Sequence, residues 1–276
     1  MIRLLTSLTK QKIIVPFYHT VAEQPLPHIK HLYRMKTVEE FQKDLDFLLK
    51  YFKPIDIETL YHLHIHKTVL EKPVFHLTLD DGMKEIYEIV APILLEKGVP
   101  ATFFINSGFV DNKVLFYRHR ESLERENEDI CDKNGRKVDE FLAKEKPYLT
   151  TEQIQTLSKQ GFTFGAHSVD HPYYYQISLD EQLRQTRESL DFVSSIINQK
   201  LRLFAFPFTD YQVSQQFFNE IEPDVDLCFG TAGLKNDEIP FHIQRIAGER
   251  SKFELLEGIV NKEYLKYFFK KIRLNR

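Results

Sequence analysis

The 276-residue sequence has no tryptophan and only two cysteines. Cys131 sits in a polar stretch and Cys228 in an apolar one. They are too few and too far apart for a disulfide framework, and no Cys-x-x-Cys pair offers a thiolate metal site. Reduced thiols and a cytoplasmic setting are the expectation. A net charge of -3 removes the global positive field that draws proteins to nucleic acid, so no nucleic-acid partner is expected. No apolar run reaches the roughly 18 residues of a membrane span. Residues 1–10 are apolar only in short, interrupted pieces, which makes a poor secretory leader. No internal repeat is evident, so a solenoid is excluded.

What is present is a globular composition, 42% hydrophobic and 28% charged, long enough to bury a large core. The 23 phenylalanines and 13 tyrosines are read first as packing residues; exposed tyrosines stacking on a sugar are the alternative. Residues 264–276 carry Lys266, Lys270, Lys271, Arg273 and Arg276 between apolar and aromatic residues, with no acid. This tail reads as a terminal helix docked by one face, or as peripheral contact with an anionic membrane.

Residues 13–18 form a short apolar run, and Pro16 argues for an edge or end position. Thr37 and Glu40 form a capping box ahead of Val38, Phe41, Leu45, Leu48 and Phe52 at helical spacing. Residues 74–105 read as one β-α-β unit, with Pro92 bending its helix or starting a new turn. Residues 118–147 are dense in alternating charge and read as a partly helical insertion that covers or borders a site. Thr150 and Gln153, and then Ser178 and Glu181, cap two later helices. Strand-like runs recur near 162–166, 203–206, 225–229 and 239–246. This alternation of strands and helices predicts one parallel α/β domain over residues 1–276.

Two motifs carry the chemistry, and each ends a strand-like run: Leu79-Asp80-Asp81-Gly82 and His167-Ser168-Val169-Asp170-His171. The carboxyl ends of strands are where α/β folds bind ligands. Imidazoles four residues apart share one side of a helical turn. Adjacent carboxylates diverge, so one can hold a cation while the other accepts a proton from water.

Together these motifs resemble the polysaccharide deacetylase family, the family 4 carbohydrate esterases with a NodB-homology domain. Thr78-Leu79-Asp80-Asp81-Gly82 matches the family's Thr-Phe-Asp-Asp-Gly, and residues 167–171 match its His-Ser/Thr-x-x-His. Phe17-Tyr18-His19-Thr20-Val21, Ala101-Thr102-Phe103-Phe104-Ile105 and Phe204-Ala205-Phe206-Pro207-Phe208 resemble its exopolysaccharide-type members. The resemblance implies a distorted (β/α)7 barrel that removes an acetyl group, expected to be N-acetyl, from a carbohydrate. It implies Asp80 as general base and Asp81, His167 and His171 as ligands of one divalent metal. Zinc is the expected ion, with cobalt or manganese as alternatives.

The chain also departs from the family pattern. No arginine precedes Pro207, and Thr209 stands where the subgroup often has glycine. The family's motif-four tryptophan is absent. His242 is the candidate general acid, although the subgroup's Leu-Pro-Arg-Ile places Arg245 in that stretch. His19 is a second candidate, as proton donor or substrate contact, or else a structural histidine. Asp170 either orients a ligand imidazole or caps its own turn, and Asp210 and Tyr211 follow motif three where a sugar contact is possible. A small-molecule amide hydrolase, a glycan-binding protein without catalysis, and a structural protein with vestigial motifs are the rival readings.

Overall fold

The computed structural model describes residues 1–126, 136–249 and 255–274. Among these, eleven short strands pair in parallel. They are β1 (Ile13–Ile14), β2 (Pro16–Tyr18), β3 (Lys53–Pro54), β4 (Val74–Phe75), β5 (Leu77–Leu79), β6 (Ala101–Ile105), β7 (Thr163–Ala166), β8 (Leu203–Ala205), β9 (Leu227–Gly230), β10 (His242–Gln244) and β11 (Ile246–Ala247). Eight of them make one sheet in the order β10-β9-β8-β7-β6-β5-β2-β11. β10 pairs with β9 and β11 with β2, and only Arg245 separates β10 from β11. One run of chain therefore joins both ends of the sheet, giving a nearly closed barrel of seven runs ringed by helices. This is the distorted barrel that the sequence implied. Its distortion lies at the amino end, where β4 leaves the ring's pairing and sits between β1 and β3.

Of the two positions expected for Pro16 the structure shows the end one: it is the first residue of β2, and its missing N–H falls where the chain passes from β1 to β2. The neighbouring Val15 carbonyl accepts from Ile246 N at 2.9 Å and carries the ladder across.

Strand alternation sorts the core into two layers. Val15, Phe104, Leu203, Ala205, Leu227, Phe229 and Ile243 fill the barrel, and Ile55, Ile57 and Leu60 close its amino end. The alternate positions Tyr18, Leu79, Phe103, Phe164, Phe204 and Cys228 belong to the larger core outside the barrel, against the helices. Gly165 faces inward, where a Cβ would lie 2.3 Å from the Phe104 ring. Cys228 is buried and free, while Cys131 lies outside the described residues.

The helix Val38–Tyr51 has the predicted capping box, with Thr37 and Glu40 exchanging hydrogen bonds. Pro92, which lacks an N–H, stands in the first turn of the helix Ala91–Lys97, directly after a π-type turn over Ile86–Val90. The helix Ile2–Thr9 was not anticipated. Its Ile2 and Leu5 join the outer core, and it packs on the terminal helix Leu256–Leu274.

The charged segment includes two helices, Tyr117–Glu126 and Arg136–Glu145. Phe116, Leu123, Leu142 and Tyr148 pack there with Ile29, Met83 and Phe109. The segment returns beside the first motif: Lys84 N donates to Pro147 O at 2.9 Å and Leu149 N to Gly82 O at 2.8 Å. It thus borders the catalytic end of the barrel.

Candidate metal centre and active site

β5 delivers the first motif at its carboxyl end. Asp80 N still donates to Tyr18 O at 2.9 Å, so Asp80 keeps the strand register. The chain then turns through left-handed backbone at Asp81 (φ 70°) and Gly82 (φ 63°). Ser168 (φ 68°), His171 (φ 61°) and Phe208 (φ 56°) are also left-handed. Such backbone costs of order 1–3 kcal/mol per non-glycine residue and is retained where surrounding structure enforces it. Here the enforcement is visible. Ser107 N and Gly108 N donate to Ser168 O and Val169 O at 3.2 and 2.9 Å, and His171 N donates to Ser168 Oγ at 3.0 Å.

The second motif follows β7. His167 Nδ1 donates to the Ala205 carbonyl at 2.8 Å, which places a proton on Nδ1, so the neutral ring carries its lone pair on Nε2. That Nε2 lies 3.5 Å from Asp81 Oδ1, and His171 Nε2 lies 3.3 Å from the same oxygen. All three residues are buried, and Asp81 Oδ1 has no hydrogen-bond partner. Burial raises the Asp81 pKa, but His171, His167 and His19 outweigh it and hold the carboxyl well below the usual range. An unpartnered anionic oxygen between two imidazole nitrogens fits a divalent cation, and the one-carboxylate, two-imidazole donor set suits a catalytic site with a position left for water. Asp170 does not reach these imidazoles: its Oδ1 accepts from Gln185 Nε2 at 2.7 Å, which braces the turn.

Asp80 is held differently. The fully buried Arg245 grips it with two parallel bonds, Nη1 to Oδ1 at 2.7 Å and Nη2 to Oδ2 at 2.8 Å. The guanidinium lies 4.4 Å from the Phe17 ring centroid and also donates to Thr78 Oγ1. Burial pushes the Asp80 pKa up, but Arg245 and His167 overcome this and lower it. The arginine missing before Pro207 is thus supplied from the run that closes the barrel.

His19 extends from β2 at the same end. Its Nδ1 is 2.8 Å from Glu249 Oε2, and its ring packs 4.7 Å from Tyr33. Burial works to lower its pKa, but the hydrogen bond and charge of Glu249, with Asp81 and Asp80, raise it to about 9. Glu249 was not singled out in the sequence. The signal was parity: Ile243, Arg245, Ala247 and Glu249 alternate onto one face.

The same parity corrects the expectation for His242. Ile243 and Arg245 point into the barrel, so His242 and Gln244 point out. His242 lies 3.6 Å from both Asp210 and Asp237 and packs against Phe206 and Phe218. The structure does not bring it to Asp80 and Asp81, and Asp210 is likewise drawn into this outer cluster. Tyr211 is exposed.

Aromatic rings wall the centre. Phe116 and Phe208 lie 4.8 and 4.3 Å from the His171 ring, and Tyr173 stacks on Phe208 at 3.8 Å. A family model described as "Polysaccharide deacetylase" matches residues 67–218, more than half of the chain. The chain belongs to the polysaccharide deacetylase family. Solved structures agree on the fold. The Streptococcus pyogenes deacetylase PplD, in complex with acetate, is 19% identical with a TM-score of 0.65, covering 86% of this chain and 92% of that one. IcaB from Ammonifex degensii is 17% identical with a TM-score of 0.66, over 90% and 96%. A de-N-acetylase from Aggregatibacter actinomycetemcomitans is 14% identical with a TM-score of 0.64, over 90% and 99%. No curated protein sequence matches the chain. The Asp81–His167–His171 cluster gives this family member the metal-binding centre of a metal-dependent deacetylase.

Proposed function

We propose that this enzyme removes N-acetyl groups from an acetylated glycan, with Asp80 as general base, His19 as general acid, and Asp81, His167 and His171 holding one zinc ion. The observation that carries the reading is the buried, unpartnered Asp81 Oδ1 between two imidazole nitrogens, beside a second carboxylate clamped by Arg245. When bound, the ion supplies polarisation of the acetyl carbonyl and a lowered pKa for its water. Asp80, kept ionised and aimed by Arg245, takes a proton from the attacking water. His19, kept protonated by Glu249, gives a proton to the leaving nitrogen as the C–N bond breaks, so the products are acetate and a free amine. Phe116 and Phe208 shield one side of His171 from solvent.

The exopolysaccharide-type subgroup is supported by Arg245, between β10 and β11, in place of an arginine before Pro207. No helix among the described residues is long and apolar enough to cross a membrane. Work in the cytoplasm on a glycan intermediate, with peripheral contact at the inner membrane face, belongs to the same proposal.

The test is acetate release from N-acetylated and O-acetylated amino-sugar oligomers by the zinc-loaded enzyme and its Asp80→Asn variant. Release from the N-acetyl substrate, lost in Asp80→Asn while zinc stays bound, is expected. Glycan binding without Asp80-dependent acetate release would leave only a binding protein.

A further inference from the structure

The end of the barrel remote from the catalytic residues carries a second organised surface. A cleft of about 730 Å³ opens between the helix Ile2–Thr9, the end of the helix Val38–Tyr51 and the segment before β4. Its lining includes Arg3, Lys12, Lys50, Lys53 and Lys72, against a single acid, Glu71. Among the described residues none of these five cations is paired with a carboxylate. Arg3 and Lys50 lie over the Tyr51 ring, and Lys12 Nζ donates to backbone carbonyls of Leu70 and Glu71. So much unpaired positive charge is notable in a chain whose net charge is -3.

Apolar side chains border the cleft. Met1, Leu4 and Leu8 recur at one-turn spacing and are 74%, 63% and 49% exposed, and Leu49, in the cleft wall, is 37% exposed. On the helical wheel Leu4 and Leu8 stand beside Ser7 and Arg3, which line the cleft. The terminal helix, which packs on this one, exposes Leu265, Phe269 and Ile272 at the same spacing, with Lys266, Lys270 and Lys271 also exposed.

We infer that this face docks on an anionic phospholipid bilayer, the lysine–arginine cleft receiving phosphate headgroups while Met1, Leu4 and Leu8 enter the acyl boundary. Charge complementarity selects an anionic surface, and apolar stripes beside the cations select a bilayer over a soluble anion. The inference gives the peripheral contact proposed above a site and an orientation. Lys12, Lys53 and Lys72 precede or open strands, whereas Asp80, Asp81 and His167 follow strand ends. The docked enzyme therefore presents its active site away from the bilayer. The surface is independent of whether the barrel deacetylates.

The experiment is co-sedimentation of the full chain with vesicles of neutral phosphatidylcholine, and with vesicles containing about one-third phosphatidylserine. Binding is expected to the anionic vesicles only. Each basic residue near such a surface contributes about fivefold, so Lys50→Gln/Lys53→Gln/Lys72→Gln lowers partitioning roughly 100-fold. Leu4→Ser/Leu8→Ser weakens it while leaving the charge intact. Acetate release in solution and the thermal midpoint of the triple variant report that catalysis and folding are preserved, since these lysines are exposed and distant from the site. Equal sedimentation of wild type and triple variant, or no sedimentation of wild type, overturns the inference. So does binding of inositol hexakisphosphate without vesicle binding, which would make the cleft a soluble-phosphate site.

Discussion

Among the described residues two Asp–His clusters occur, Asp81–His167–His171 at the barrel mouth and Asp210–Asp237–His242 outside the barrel, and only the first is arranged to need a cation. In the first, Asp81 Oδ1 is buried without a hydrogen bond, and the His167 tautomer turns a lone pair toward it. In the second, Gln244 Nε2 donates to Asp210 Oδ2 at 2.6 Å and to Asp237 Oδ2 at 2.8 Å, and Ala232 N fixes the amide by donating to its Oε1. Thr231 N and Ile239 N occupy the remaining carboxylate oxygens. His242 Nε2 is left 3.6 Å from Asp210 without a hydrogen bond. Convergence of acids and histidine is therefore not enough. A buried acceptor with no donor asks for a cation, and a side-chain amide in the right place removes the need.

The contrast can be broken most sharply at the first cluster. His171→Ala removes a ligand, and acetate release should fall to background; activity near wild type would refute the ligand assignment. Asp80→Asn should lower kcat by about 10²–10⁴-fold, the range of general acid–base catalysis, with bound zinc unchanged. Arg245→Leu strands a buried carboxylate, at a cost of about 3–5 kcal/mol measured by chemical denaturation. Because Arg245 lowers the Asp80 pKa, the same variant should move the acidic limb of the rate profile to higher pH; an unmoved limb would remove Asp80 as its source.

pH sharpens the role of His19. Its pKa is raised from 6.5 to about 9, so it contributes stability fully below about pH 6.5 and loses it as pH rises through about 9. If His19 is the acid, the rate falls over that same alkaline range, and a bound cation shifts the fall to lower pH by disfavouring the imidazolium. His19→Gln should abolish this limb while zinc affinity persists. At the second cluster, His242→Gln should cost about 1 kcal/mol of stability through lost packing against Phe206 and Phe218, with kcat and zinc affinity within about twofold of wild type.

Both chemical motifs were legible because each is local: a strand run, a turn residue and a spaced pair of ligands within a few positions. Capping boxes at Thr37 and Thr150 were legible for the same reason. Parity puts Arg245 and Glu249 on one face, but they acquire their roles only when the last run of chain closes on β9 and β2, and that closure has no local signature. His242 is the candidate acid only through the resemblance, because the family carries its general-acid histidine late in the chain. Counting two-residue parity from Ile243 would have placed it outside the barrel. Residues 1–10 carry too short an apolar pattern to announce a helix, and the burial of Ile2 and Leu5 depends on the terminal helix packing on theirs.

The central claim is that one cluster, and not the other, holds the metal. Calorimetric titration of zinc into metal-stripped wild type, His171→Ala and His242→Gln tests it directly. The account predicts one tight site in wild type, its loss in His171→Ala and its retention in His242→Gln. Two tight sites in wild type, or loss of the tight site in His242→Gln, would contradict it.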